Sequence, residues 1–234
     1  REVFFPPFKA TLQQGGDWNV MMSHNELNGI PCHTNRWLMT DVLRKEWGFQ
    51  GFIVSDWMDI EHCVDQHHTA KDNKEAFYQS IMAGMDMHMH GPEWQKDVVE
   101  LVREGRISET RIDESVRRIL TVKFRLGLFE HPYSDVKTRD RVINDPVHKQ
   151  TALEASRESI VLLKNEKQLL PLDEQKYKKV LVTGINANDQ NIMGDWSELQ
   201  PEDKVWTVLK GLKLVSPHTD FRFVDQGWDP RNMS

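Results

Sequence analysis

Short apolar runs alternate with longer amphipathic stretches through the first half of this chain, and that alternation constrains the fold more than any other feature. Asn19 to Ser23 (NVMMS) and Gly51 to Ser55 (GFIVS) have the length and character of buried strands, and each is followed by helical spacing. Between them, after a Gly- and Pro-containing loop, Asn35 is placed to cap a helix carrying Leu38, Met39, Val42, Leu43 and Trp47, closed by Gly48. Lys74 to Ala83 (KEAFYQSIMA) reads as the next helix, stopped by Gly84. Met85 to Met89 (MDMHM) alternates as a third strand would, and WQKDVVELVREG and SETRIDESVRRILTVKFRLG supply two further helices. In the second of these, Thr110 and Asp113 have capping-box spacing, while Ile112, Val116, Ile119, Leu120 and Phe124 form one apolar stripe. Strand and helix units in series predict parallel strands with helices outside. Three units fall short of a closed eight-stranded barrel, which takes about 250 residues. They form part of a barrel or a small open sheet.

From Leu128 to Pro146 the sequence turns polar and reads as a loop and a domain boundary. Beyond it come a helix (HKQTALEASRES), two strands (IVLLKN and KKVLVTG), a helix (WTVLKGLKLV) and a last strand (FRFVDQ), which together predict a second α/β domain. There is no repeat at fixed period and no low-complexity tract.

Charge and hydropathy exclude two classes of partner. The net charge is -6, with lysines and arginines dispersed along the 234 residues, so no basic stripe is available for nucleic acid. Apolar runs such as Phe52 to Val54 and Ile160 to Leu163 are far shorter than the roughly 20 residues of a membrane-spanning helix. The start, REVFFPPFKATLQQGG, lacks the pattern of a signal peptide and an initiator methionine, and reads as the interior of a longer protein. Cys32 and Cys63 leave disulfide pairing open, and no pattern encodes an oligomeric state.

The chemistry centres on Asp56. It follows directly on a predicted buried strand, and in parallel α/β barrels the residues past the carboxyl ends of strands gather around one cavity. A carboxylate held there serves as nucleophile, base or metal ligand. Trp57 beside it offers a flat face on which a sugar ring stacks; the plainer alternative is an Asp capping a turn and a Trp in the core. A competing constellation is metal-like. His88 and His90 sit two apart on a predicted strand, and His62, Cys63, Asp65, His67 and His68 crowd one loop, so a paired histidine with Asp56 is a candidate for water activation. A dinucleotide site is not supported, because Gly184 in VLVTGINAND has no companions at GxGxxG spacing.

NVMMSHNELNGIPCHTNRWLMTDVLRKEWGFQGFIVSDW closely resembles the nucleophile region of glycoside hydrolase family 3, which contains β-glucosidases, β-xylosidases and related exo-acting enzymes. REVFFPPFKA resembles the family's preceding barrel helix, AGMDMHMHG its last barrel strand, RIDESVRRILTVKFRLGLFEHPY its closing helix, and ALEASRESIVLLKNEKQLLPL the entry to its second domain. The resemblance implies an α/β fold: the C-terminal part of a (β/α)8-type barrel over residues 1–129, a linker over 130–146, and the first part of an (α/β)6 sandwich over 147–234.

The resemblance further implies a retaining exo-acting glycoside hydrolase, a β-glucosidase releasing terminal β-linked glucose, with Asp56 in SDW as nucleophile. Its substrate is a β-linked oligosaccharide or glycoside, and two carboxyl groups need neither cofactor nor metal. Among substrate-binding residues, Trp57 is an aromatic wall, and His24 stands where family members carry a tyrosine. Arg36 is a candidate to reach toward the cavity, the alternative being a solvated arginine at a helix start, and Trp196 in MGDWSE resembles a stretch that walls the aglycone side, with core packing as its alternative. Two-domain members are often periplasmic or secreted. No residue matches the family's acid/base, and Glu198 is not supported for that role, so the alternative is an inactive or sugar-binding fragment.

Overall fold

In the computed structural model, which describes residues 1–15, 18–143, 145–194 and 196–224, the chain divides into two compact units, Arg1–Asn144 and Asp145–Ser234. Each unit is mixed α/β.

In the first unit helix α1 (Phe5–Gln14) precedes strand β1 (Asn19–Met21). A hairpin follows where the sequence reads as plain loop: β2 (Glu26–Leu27) pairs antiparallel with β3 (Ile30–Pro31). Asn28 (φ 55°) and Gly29 (φ 76°) are both left-handed, as the tight turn of such a hairpin requires. The next helix, Trp37–Glu46, carries the wider π-type bonding. Asn35 caps it as expected, its Oδ1 accepting the Leu38 amide at 3.0 Å. Strand β4 (Phe52–Val54) then lies parallel to β1 in the register Asn19↔Phe52, Val20↔Ile53, Met21↔Val54. The alternating MDMHM stretch is reduced to one parallel bridge, Val54↔Met87, where Ser55 donates to the Met87 carbonyl at 2.9 Å. Three parallel backbones therefore stand side by side with β4 in the middle, which leaves Ile53 and Val54 buried.

The helices cover this sheet. After α2 (His62–Asp65), α3 (Asn73–Ala83) starts on Asp72, whose side chain accepts the Glu75 amide at 2.8 Å, and ends on Gly84 at φ 126°. Phe77 and Ala76 of α3 join Met39, Leu43, Ile53, Ile60 and Met85 in one buried cluster. Helix α4 (Trp94–Arg103) inserts Leu101 beside Ile81 and Ile107 in a second cluster.

Helix α5 (Glu109–Arg125) differs from expectation in two ways. Its cap is Ser108, which accepts the Arg111 amide at 3.2 Å, in place of a box built on Thr110 and Asp113. Its apolar stripe is largely exposed at Val116, Leu120 and Phe124, and a polar row is turned inward instead. The cause is Asp86, whose fully buried carboxylate needs donors. Ser115 Oγ (2.8 Å) and Arg118 Nη1 (2.7 Å) donate to one oxygen, while Arg44 and the Ile53 amide (3.0 Å) donate to the other. One carboxylate thus ties α5, the π-type helix and β4 together.

The stretch read as loop between Leu128 and Pro146 contains helix α6 (Val136–Ile143). Asp135 starts it by accepting the Thr138 amide at 2.8 Å, a bond that also lowers the Asp135 pKa. Cys32 and Cys63 are both free and buried, so the pairing left open by the sequence is not made.

In the second unit α7 (Pro146–Ser159) is capped by Asp145, whose Oδ1 accepts the Val147 amide at 2.8 Å. Strand β5 (Lys179–Thr183), helix α8 (Val208–Val215) and strand β6 (Asp220–Val224) follow, with β5 and β6 parallel from Lys179↔Asp220 to Thr183↔Val224. The predicted strand IVLLKN is not formed: Ile160 to Leu163 are exposed and belong to no strand among the described residues. Its composition suits a buried strand, but only a neighbouring backbone makes one.

Candidate active site

Asp56 emerges at the carboxyl end of the middle strand, and both of its oxygens are engaged. Oδ1 accepts the Trp57 amide at 2.6 Å, and Oδ2 lies 2.9 Å from Nε2 of His24. Its own backbone amide donates to Nε2 of the buried His33 at 3.0 Å. The carboxylate is 24% exposed, so it is held from behind and open in front.

The chain turns sharply after Asp56. The Asp59 amide returns to the Asp56 carbonyl at 3.4 Å, and Met58 adopts a left-handed φ of 56° that a non-glycine residue rarely accepts. This turn places Asp59, almost fully buried, behind Asp56 and against the same histidines. Nδ1 of His24 is 2.6 Å from the Asp59 carboxylate, and Nδ1 of His33 is 3.5 Å from Asp59 Oδ2. The two rings are pushed in opposite directions. The hydrogen bond from Asp59 raises the pKa of His24, whereas burial lowers that of His33 to about 4.

Trp57 is 53% exposed and lies outside the core; its ring stacks on His90 at 4.0 Å between centroids and 8° between planes. The other histidines are dispersed. His88 bonds Glu61 at 3.0 Å and stacks on Trp94, His67 bonds Glu26 at 2.8 Å, His62 bonds Asp65 at 3.0 Å, and His68 bonds the Val64 carbonyl at 2.9 Å. His88 and His90 therefore do not act as a pair. Among the described residues the one gathering of three metal-ligand types is His24, Asp56 and Asp59, with atoms within 4.8 Å of one another. There both ring nitrogens of His24 meet carboxylate oxygens, the pattern of a doubly protonated ring with no lone pair left for a metal.

Arg36 is exposed, 4.0 Å from Asp41, and lines an open cavity of about 520 Å³ with Ile30, Thr34, Tyr78 and Met82. It makes no bond to the group around Asp56. Trp196, in the second unit, is 95% exposed and so is not a core residue of that unit.

The chain matches a known family. Residues 1–122 match the glycosyl hydrolase family 3 N terminal domain, and residues 160–222 match the family's C-terminal domain. The chain belongs to glycosyl hydrolase family 3. It is 36% identical to a beta-xylosidase of Formosa agariphila over 95% of this chain and 33% of that protein. It is 37% identical to a periplasmic beta-glucosidase of Salmonella typhimurium over 90% of this chain and 28% of that one. The crystal structure of a beta-glucosidase from Listeria innocua in complex with glucose superposes with a TM-score of 0.73 at 34% identity, over 97% of this chain and 31% of that one. The family 3 chain described here thus spans about a third of the length of these relatives.

Sequence reasoning singled out Asp56, Trp57 and His24, which the fold brings together, but missed Asp59 and His33. Asp59 had a usable signal, since a residue three positions after Asp56 returns beside it whenever the chain turns. His33 had none, because its contact with Asp56 depends on how two separate loops meet.

Proposed function

We propose that this chain forms part of a retaining β-glycosidase with Asp56 as nucleophile. The observation that carries the proposal is the hold on Asp56: a partly exposed carboxylate at a strand end, fixed by His24 at 2.9 Å and by the Trp57 amide at 2.6 Å. In the reaction an Asp56 oxygen forms an ester bond to the anomeric carbon as the glycosidic C–O bond breaks, and a carboxylic acid protonates the departing oxygen. Water then cleaves the ester with retention. The other carboxylate gathered here, Asp59, is 3% exposed and committed to His24, so it does not reach a leaving group and the acid is not assigned to this chain.

Trp57, set upright by His90, supplies a stacking face for the sugar, and Trp196 supplies an exposed aromatic surface in the second unit. Arg36 lines a separate open cavity with Ile30 and Tyr78. The first unit is read as part of a (β/α)8-type barrel over residues 1–129, supported by three adjacent parallel backbones, and residues 147–234 as part of an (α/β)6 sandwich, supported by the parallel pair β5 and β6. Terminal β-linked glucose is the preferred substrate, on the likeness to glucosidases, and a periplasmic or secreted location follows from the likeness to the periplasmic relative.

Incubation of the intact protein with activated 2-deoxy-2-fluoro-β-glucoside, followed by peptide mass mapping, tests this. A label on Asp56 is expected. A label on Asp56 from the corresponding xyloside alone reassigns the sugar, and a label on another residue overturns the nucleophile assignment.

A further inference from the structure

The His24 ring spans two carboxylates, one on each nitrogen. Nε2 is 2.9 Å from Asp56 Oδ2 and Nδ1 is 2.6 Å from the Asp59 carboxylate. An ionised carboxylate only accepts hydrogen bonds, so both contacts are made at once only when both ring nitrogens carry protons. A neutral ring has one N–H and satisfies one of the two. His24 is 63% exposed at its side chain, and a histidine so placed would ordinarily titrate near 6.5. What distinguishes it is Asp59, whose side chain is 4% exposed. A buried carboxylate demands a nearby cation, and among the described residues His24 is the one cation within ion-pair distance of it, since its second neighbour, His33, is kept neutral by burial.

We propose that Asp59 is a positioning residue for Asp56: it holds His24 as an imidazolium that clamps the outer oxygen of the nucleophile, so that loss of one proton from His24 releases the clamp. This inference rests on Asp56 being the nucleophile. Five titratable groups stand at or near the clamp. Asp56 and Asp59 come from the loop after β4, neutral His33 comes from the turn Cys32–Thr34, and the pair Glu26–His67 lies beside the hairpin at 2.8 Å. With His24 protonated, Asp56, Asp59 and His24 sum to one negative charge. After deprotonation two carboxylates within 4.8 Å of each other face one another without an intervening cation. The clamp also suits the ester intermediate. When Asp56 becomes a neutral ester, His24 keeps its partner in Asp59 and is not left as an uncompensated cation beside the sugar.

The sign of the pH effect follows. Activity is retained while His24 is protonated and falls as pH rises through its elevated pKa. The test is the pH profile of kcat/KM on an aryl β-glycoside for the intact protein, Asp59→Asn and His24→Gln, with fluoroglycoside labelling run on the same samples. Asp59→Asn is expected to move the alkaline limb down by about one pH unit, with a roughly tenfold loss at pH 8 and little change at pH 5.5. His24→Gln, an exposed position that does not threaten folding, still donates one bond to Asp56; it is expected to lower kcat/KM about tenfold and to erase that limb. A parent-like alkaline limb in His24→Gln overturns the proposal even if Asp59→Asn fails to fold. A label on Asp56 with unmoved limbs in both variants overturns the clamp and leaves the nucleophile standing. An unlabelled Asp56 in the parent overturns both.

Discussion

The backbone amide of Asp56 donates to Nε2 of His33 at 3.0 Å. That bond fixes the tautomer, because an accepting Nε2 leaves the proton on Nδ1, which faces Asp59 at 3.5 Å. Burial pushes the His33 pKa down to about 4, whereas an unfolded histidine titrates near 6.5. The neutral ring therefore contributes its full stability above about pH 6.5 and loses it as pH falls through 4, a swing of about 3 kcal/mol. Urea denaturation of the intact protein between pH 7 and pH 4 should show this loss, and His33→Gln, which can still accept the Asp56 amide, should flatten it. An identical pH dependence in both proteins would show that His33 is not the group involved.

Replacing the proposed nucleophile separates chemistry from folding. Asp56→Asn keeps the shape and removes the charge, so turnover of aryl β-glycosides should fall by roughly 10³-fold or more while circular dichroism stays unchanged. Near-parental turnover would remove Asp56 from the reaction.

Trp57 and His90 should behave as one unit. Their stack at 4.0 Å holds the indole at a fixed angle, and such pairs are worth about 0.5–1.5 kcal/mol. Trp57→Ala should lower kcat/KM about tenfold, His90→Ala less, and the double variant no further than Trp57→Ala alone. Additive losses would mean that His90 acts on the substrate independently.

Asp86 should matter to stability far more than to catalysis. Its removal leaves Arg44, Arg111 and Arg118 facing one another beneath β4, and breaking a buried charge network of this kind costs about 3–5 kcal/mol. Asp86→Ala should unfold at clearly lower denaturant than the parent. Parental stability would show that the three guanidinium groups find other acceptors.

Both thiols should be inert until the protein unfolds. Burial raises the Cys32 pKa and pushes that of Cys63 up to about 11, which disfavours the reactive thiolate at both. A thiol reagent should titrate neither of these two cysteines in the native intact protein and both in denaturant. Rapid native labelling of Cys63 would contradict its placement against Asp59 and Ile60.

Local patterning made much of this molecule legible. The runs NVMMS and GFIVS announce strands because only buried backbones tolerate such density of apolar residues, and Asn35, Gly48 and Gly84 mark helix ends through conformations their chemistry favours. Asp56 was conspicuous for the same reason, as a carboxylate fastened to an apolar strand. The hairpin is equally legible in the dipeptide Asn28–Gly29, although its Gly- and Pro-containing surroundings read as loop. What the tertiary structure alone decided are contacts between residues distant in the chain. The inward row of α5 is polar because Asp86, from another segment, arrives beneath it, and IVLLKN stays unpaired because a strand needs a partner that its own letters do not contain. Likewise His24 and Asp59 are 35 positions apart, and neither residue type specifies the other. Their charges become one clamp only because parallel pairing of β1 with β4 brings the two strand ends to the same edge of the sheet.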